Sequence, residues 1–184
     1  MLRLCQSKDF GCIPHFEDIP GLWVIDVQAG CVVKAPADCL YVALSYVWGG
    51  AQQTQLMHET EKLLTTPGSV HPDAEFLSTV VRDAWSFCDA LQRRYLWIDA
   101  LCIMQGDQQD FGMQISYIDA VYLRAEFTIA AAAGAECNFG LLGLRSSRST
   151  HPHMVTGIVD GISIVGAYMH KQDLLLNCKW NSRG

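Results

Sequence analysis

Residues 95–110, YLWIDALCIMQGDQQD, run from a short apolar segment into a polar segment rich in acidic residues. The first four residues are bulky and apolar, which is typical of a buried β-strand. Asp99 follows that strand directly, and Asp107 has the position of a helix N-cap. Asp99 has two interpretations: it caps the end of the strand, or it lies at the rim of a binding site.

The sequence on either side of this strand has a helical pattern. Upstream, apolar residues recur at helical spacing between about Pro72 and Arg93, and Arg93 suits the negative end of the helix dipole. Downstream, the pattern predicts a helix from Asp107 to Ala125. Its apolar residues recur in steps of four and three and would form a core-facing seam, which consists of Phe111, Ile115, Ile118, Tyr122 and Ala125.

Two further buried strands flank these helices. Residues 41–50, YVALSYVWGG, are apolar on both faces, which suits a central strand, and residues 127–134, FTIAAAAG, end at Gly134. Residues 51–72 predict a loop that contains about one turn of helix. Residues 22–33 and 155–168 predict β-hairpins, the second about Asp160-Gly161. The alternation of strands and helices from residue 41 to residue 134 predicts a three-layer α/β domain with a mainly parallel sheet and added hairpins.

The composition narrows the class of protein. The 184 residues are 50 % hydrophobic and carry a formal net charge of −6, which argues against a nucleic-acid partner. The basic stretch RSSR, residues 145–148, is short and is interpreted as a solvated loop. No apolar run approaches the roughly 20 residues that span a bilayer, and Lys8, Asp9 and Pro14 interrupt any signal peptide. We therefore expect an intracellular, cytoplasmic protein without a membrane segment.

The eight cysteines predict free thiols rather than a metal site. They contain no C-x-x-C pair, whereas structural zinc sites usually use such close pairs. The HPH stretch at residues 151–153 has no cysteine pair nearby. In a reducing compartment, most of these cysteines would be buried as small apolar side chains.

Candidate binding residues lie where the predicted parallel strands end, because ligands of open α/β sheets bind at the carboxyl ends of the strands. Asp99 suits a ribose hydroxyl, and Trp48 beside two glycines suits stacking on a base, although a core role is common for tryptophan. The chain has no phosphate-binding glycine motif and no G-x-S-x-G motif. Cys102 has no histidine close in sequence to activate it. The predicted ligand-binding residues are Ser45, Tyr46, Trp48, Gly49, Asp99, Gln105 and Asp107.

Three blocks of the sequence stand out together. They are YVALSYVWGG, then RRYLWIDALCIMQGDQQD with its continuation FGMQISYIDAVYLRAEFTIAAAAG, and finally GLLGLR. In this order they resemble the HET domain, the heterokaryon-incompatibility module of filamentous fungi. The resemblance implies non-self recognition after cell fusion, followed by growth arrest and programmed cell death. The HET domain would cover residues 22–184, with residues 1–21 as an N-terminal extension.

The resemblance also implies a flavodoxin-like fold, because HET domains are distantly similar to TIR domains. Some TIR domains cleave NAD⁺ with a glutamate, a group that suits an oxocarbenium-like transition state, so NAD⁺ is an implied substrate. The tryptophan and Gln-Glu segment that usually follows in HET domains is absent before Gly184, and neither Glu126 nor Glu136 matches it. We therefore expect a C-terminally truncated domain that is nearly inactive by itself, with no catalytic residue assigned.

Two alternatives to an NAD⁺-cleaving domain remain open. The first is a non-catalytic signalling module, which acts by self-association or by docking another incompatibility or sensor protein. The second is an inactive truncated copy.

Overall fold

The computed structural model describes residues 19–132, 134–141, 144, 154–159 and 162–167. The strands in these ranges are β1 (Trp23–Asp26), β2 (Cys31–Lys34), β3 (Tyr41–Tyr46), β4 (Tyr95–Ile98), β5 (Phe127–Ala131), β6 (Met154–Val159) and β7 (Ile162–Ala167). The helices are α1 (His58–Leu64), α2 (Thr79–Ala90), α3 (Asp99–Cys102), α4 (Gln108–Ser116) and α5 (Ile118–Arg124).

The first five strands form one open sheet in the order β2-β1-β4-β3-β5. β3 is parallel to both β4 and β5, whereas β1 is antiparallel to both β2 and β4. The α/β class is confirmed, but the sheet is mixed, and the expectation of a mainly parallel sheet is not met. The N-terminal hairpin joins this sheet through β1, which pairs with β4. Just past this ladder, the Val27 N–H donates to the Arg94 carbonyl at 2.8 Å, next to the ion pair of Asp26 with Arg94.

The strands occur where the apolar patterns predicted them. The hairpin of residues 22–33 is β1 with β2. β3 lies inside the sheet between β4 and the edge strand β5, with five of its six residues buried, whereas the central strand is β4. β5 ends at Ala131 rather than at Gly134. It is also less buried than predicted, since Thr128 and Ala130 are exposed on this edge strand of the sheet.

The first predicted helix is shorter than its sequence pattern. α2 begins at Thr79 rather than at Pro72, and residues 71–77 form turns instead. In these turns the Leu77 N–H donates to the Ala74 carbonyl at 3.1 Å, and the Thr54 hydroxyl donates to the Phe76 carbonyl at 2.6 Å. The predicted loop before them contains a longer helix than expected, α1. The inward face of α2 is buried as predicted: Val80, Val81, Ala84 and Cys88.

The second predicted helix is two helices, α4 and α5, with a break at residue 117. Gln114 of α4 is only 2 % exposed, and its Nε2 donates to the Pro20 carbonyl at 2.8 Å. Gln114 faces inward, whereas Phe111 and Ile115 are exposed, by 37 % and 42 %. The predicted core-facing seam is therefore wrong for α4. Its remaining members pack against the core: Ile118, Tyr122 and Ala125.

Aromatic contacts show helices against both faces of the sheet. Phe87 of α2 contacts Phe127 edge-on at a centroid distance of 6.5 Å, and Tyr122 of α5 contacts Trp97 at 5.4 Å. Phe127 and Trp97 are in register with adjacent residues of β3, whose side chains point to opposite faces. The core therefore lies on both sides of the sheet, while the flavodoxin-like or TIR-like likeness stays a prediction.

The described cysteines are free thiols: Cys31, Cys39, Cys88, Cys102 and Cys137. All are buried except the half-buried Cys39, as the sequence predicted. No helix within the described ranges is long and apolar enough to cross a membrane.

The predicted C-terminal hairpin is confirmed as β6 paired antiparallel with β7. Its Asp160-Gly161 turn, the RSSR stretch and the HPH stretch lie outside the described residues.

Candidate functional site

A hydrogen bond joins the ends of two parallel strands. The indole Nε1 of Trp48, two residues past β3, donates to Oδ2 of Asp99, the residue directly after β4, at 3.0 Å. Both side chains are half-buried. Because β3 and β4 are parallel neighbours, their carboxyl ends meet at one edge of the sheet, where open α/β sheets bind ligands.

Asp99 also has a local structural role. It is the first residue of α3, and its Oδ1 accepts the Ala100 N–H at 2.8 Å. The carboxylate therefore satisfies a backbone donor at the helix start and contacts Trp48 at the same time. The two interpretations of Asp99, strand-end cap and site residue, are compatible in this geometry.

Gln105 holds the segment after β4 in place. Its Nε2 donates to the carbonyls of Asp99 at 3.2 Å and Ile103 at 3.1 Å. Its backbone N–H donates to the Leu56 carbonyl at 2.8 Å, and the Leu56 N–H donates to the Ala100 carbonyl at 2.7 Å. Gln105 therefore positions the backbone that carries Asp99.

The other predicted site residues have different surroundings. Tyr46 is 1 % exposed, and its hydroxyl donates to Gln53 Oε1 at 2.7 Å, so it belongs to the core. Asp107 directly precedes α4, and its carbonyl accepts the Phe111 N–H at 2.8 Å, which fits its predicted helix-start position. Ser45 is half-buried on β3. The structure thus brings together Trp48, Asp99 and Gln105.

Gly49 lies under the segment that follows β5. Its φ angle is +70°, and a Cβ atom at this position would be 2.8 Å from the Cα of Glu136 and 3.0 Å from the carbonyl oxygen of Ala135. The Cys137 N–H donates to the Trp48 carbonyl at 3.2 Å. The chain after the third parallel strand therefore folds over the carboxyl end of β3.

This covering segment, residues 134–141, is also attached to α2. The Val80 N–H donates to the Cys137 carbonyl at 3.0 Å, and Oδ2 of the buried Asp83 accepts the Leu141 N–H at 2.8 Å. Gly140, at φ +79°, packs so closely that a Cβ atom would be 2.6 Å from that same Asp83 oxygen. The covering segment is therefore held in place beside the ends of β3 and β4 and forms a third side of the site.

Sequence reasoning did not identify Glu136 and Cys137 as neighbours of the site. Their position after the third predicted strand was the available indication, because the ends of parallel strands converge. Glu126, in contrast, precedes β5 and forms an ion pair with Arg93 at 2.7 Å. Glu136 alone of these two glutamates lies next to a predicted site residue.

Cys102 is a structural thiol. It is 0 % exposed, and its sulfur accepts the Ile98 N–H at 3.4 Å. Burial raises the pKa of the thiol to about 12. Since the thiolate is the reactive form of cysteine, a buried and protonated Cys102 is unsuited to nucleophilic catalysis.

One family model matches this chain, and its description is "Heterokaryon incompatibility protein (HET)". The match covers residues 41–184, which include Trp48, Asp99, Gln105 and the three sequence blocks that resembled this family. No curated protein and no solved structure matches the chain.

Proposed function

Because the chain belongs to the heterokaryon incompatibility (HET) family, we propose that it acts in fungal non-self recognition and in the programmed cell death that follows. The observation that carries this proposal is the family match over more than three quarters of the chain. The matched region contains the half-buried contact of Trp48 with Asp99 at the ends of β3 and β4. We expect this contact to be the ligand-binding site.

At this site we propose that the domain binds NAD⁺. The Trp48 indole offers an aromatic face for stacking on a base, an interaction worth about 1–3 kcal/mol where nucleic-acid bases stack on aromatic residues. The Asp99 carboxylate offers an acceptor for ribose hydroxyls, which bind ionised acceptors more strongly than neutral ones. Cleavage of the nicotinamide glycosidic bond is the finer proposal, and it requires a carboxylate near the ribose.

Calorimetric titration of the chain with NAD⁺ tests this site. We expect Asp99→Ala to weaken binding by about ten- to a hundredfold, because a lost bond to a charged group is worth about 1.5–3 kcal/mol. Trp48→Phe keeps an aromatic face but removes the N–H that donates to Asp99, so we expect a smaller loss. Asp73→Ala is the matched control, since this aspartate side chain is 96 % exposed and lies outside the site.

Equal affinity of the wild type and Asp99→Ala, with both proteins folded by circular dichroism, would remove Asp99 from the ligand site. Chromatographic measurement of nicotinamide separates the two proposals. Binding without nicotinamide release supports a ligand sensor, and release with time supports a glycohydrolase.

The exposed apolar side chains of α4 favour a second candidate function, a signalling module that self-associates. Phe111 and Ile115 are four residues apart, so they are neighbours on one side of the helix. Isolated exposed apolar residues are common, but adjacent ones are typical of interaction surfaces. We propose that a second copy of the chain would cover this pair.

Sedimentation velocity over a range of protein concentrations tests self-association. We expect dimers at high concentration in the wild type and a dimer dissociation constant about tenfold weaker for Ile115→Ser, because apolar contact area is lost. Leu63→Ser is the control, since Leu63 is 47 % exposed on the separate helix α1. A monomer at every concentration, or an equal effect of both substitutions, would contradict self-association through α4.

A further inference from the structure

A cleft of about 310 Å³ lies beside the segment that joins β2 to β3. Leu22 and Pro36 contribute apolar walls, and Tyr41, which is 2 % exposed, lines the cleft at the start of β3. The volume lies within the range of small-molecule sites. The cleft shares no residue with the contact of Trp48 with Asp99, which lies past the other end of β3.

Two cationic side chains line this cleft. The ammonium of Lys34 lies 3.8 Å from the Trp23 ring centroid and 3.5 Å from the carbonyl oxygen of Gly21, another residue of the cleft. Arg124 contributes from the last turn of α5. Burial raises the pKa of the Cys39 thiol, and the positive charge of Arg124 opposes that rise, so this charge acts inside the cleft.

One acidic residue, Asp38, also lines the cleft, and its negative charge offsets part of the positive charge. It is exposed, and its φ angle of +56° holds it in the left-handed region at the turn before β3. Among the residues that line the cleft, two are cationic and one is acidic. That balance suits a ligand with a single negative charge better than a doubly charged phosphate.

We propose that this cleft binds an organic monocarboxylate with an apolar body. The planar guanidinium of Arg124 matches a carboxylate with two parallel hydrogen bonds, and the Lys34 ammonium adds a second point charge. The apolar walls contact the body of the ligand. This site is independent of the proposed NAD⁺ site, so either one can fail without the other.

Titration of the ¹⁵N-labelled chain with benzoate, followed by backbone amide shifts in NMR spectra, tests the proposal. We expect benzoate to shift the amides of residues 34–41 except Pro36, which has no N–H. Its neutral counterpart benzamide and the dianionic phenyl phosphate should each bind at least about tenfold more weakly, as expected when a charged hydrogen bond is lost or an unbalanced charge is added. Arg124→Gln should weaken benzoate by about tenfold, and Lys34→Gln by a smaller factor.

Lys62→Gln is the matched control, because Lys62 is an exposed lysine on α1 outside the cleft. Lys34 is exposed as well, so Lys34→Gln keeps the test decisive if Arg124→Gln fails to fold. Equal affinity for benzoate and benzamide, or benzoate shifts confined to residues outside 34–41, would overturn the proposal. A preference for phenyl phosphate would overturn the choice of a monocarboxylate.

Discussion

Replacing Gly49 with alanine is expected to lower the free energy of unfolding by about 3 kcal/mol. Left-handed backbone at a residue with a Cβ atom costs about 1–2 kcal/mol, and Gly49 has φ +70°. Overpacking adds about 1–3 kcal/mol, because the new methyl group would overlap the Glu136 backbone. Relief of that overlap requires the covering segment, residues 134–141, to move off the end of β3.

Gly50→Ala is the matched control for this substitution. Gly50 is the next residue, its φ is not positive, and a Cβ atom there would have no neighbour within 4 Å. We expect a change below about 1 kcal/mol in either direction. Urea denaturation followed by tryptophan fluorescence measures both variants. Equal stability of Gly49→Ala and Gly50→Ala would show that the covering segment is not packed against Gly49 in solution.

Replacing Asp26 with alanine is expected to lower the free energy of unfolding by about 1–3 kcal/mol, because two backbone N–H groups and the half-exposed Arg94 lose the buried carboxylate that accepts their hydrogen bonds. Asp26 is 4 % exposed. Its carboxylate accepts the N–H groups of Gln28 and Ala29 and two bonds from Arg94. Asp26→Asn keeps an acceptor oxygen and should lose about half as much, since charged hydrogen bonds are about twice as strong as neutral ones.

The contribution of Asp26 should also depend on pH. Burial opposes ionisation of this carboxyl, but the bonds from Arg94, Ala29 and Gln28 together hold its pKa below the ordinary value of 3.8. Since the folded protein binds this proton less readily than the unfolded chain, the stabilisation is complete well above pH 3.8. It declines as the pH falls through 3.8 and is lost below the lowered pKa.

The difference in unfolding free energy between the wild type and Asp26→Asn isolates this effect from other acidic groups. Chemical denaturation at a series of pH values should show the difference shrinking as the solution becomes more acidic. A difference that stays constant or grows in acid would contradict a lowered pKa at Asp26.

The strands and the contact of Trp48 with Asp99 could be expected from the sequence for simple physical reasons. A short strand that is apolar on both faces must be buried on both sides. This pattern predicted β3 and β4. Parallel pairing then aligns their ends, as the register of Leu44 with Ile98 shows. Trp48 and Asp99, both shortly after that pair, had to lie close together.

The orientation of α4 could not be read from its apolar spacing. The inward residue is Gln114, whose amide bonds to the carbonyl of Pro20, 94 residues earlier in the chain. This buried polar contact ties α4 to the segment before β1, while Phe111 and Ile115 are exposed. Periodicity alone cannot anticipate a bond between such distant residues.

The contacts of the covering segment could not be predicted from the sequence either, because its hydrogen bonds use backbone groups of the segment. The bonds of Cys137 to Trp48 and Val80 use only main-chain atoms, which any residue could supply. Glycines mark the close approaches, Gly49 on one side and Gly140 on the other. A glycine in a sequence shows that a close approach is allowed but not what comes close.

The position of β3 between β4 and β5 has a consequence for how the protein is made. The strands that pair with β3 are synthesised much later. Tyr41 pairs with Tyr95, more than fifty residues further along the chain, and Val42 pairs with Phe127, more than eighty residues further along. At a synthesis rate of about 5–20 residues per second, a ribosome needs about 3–10 s after making β3 before it completes β4. Throughout that interval β3, with five residues that are buried in the folded protein, lacks both of its neighbouring strands. Successful biosynthesis therefore depends on preventing the nascent chain from aggregating with other chains.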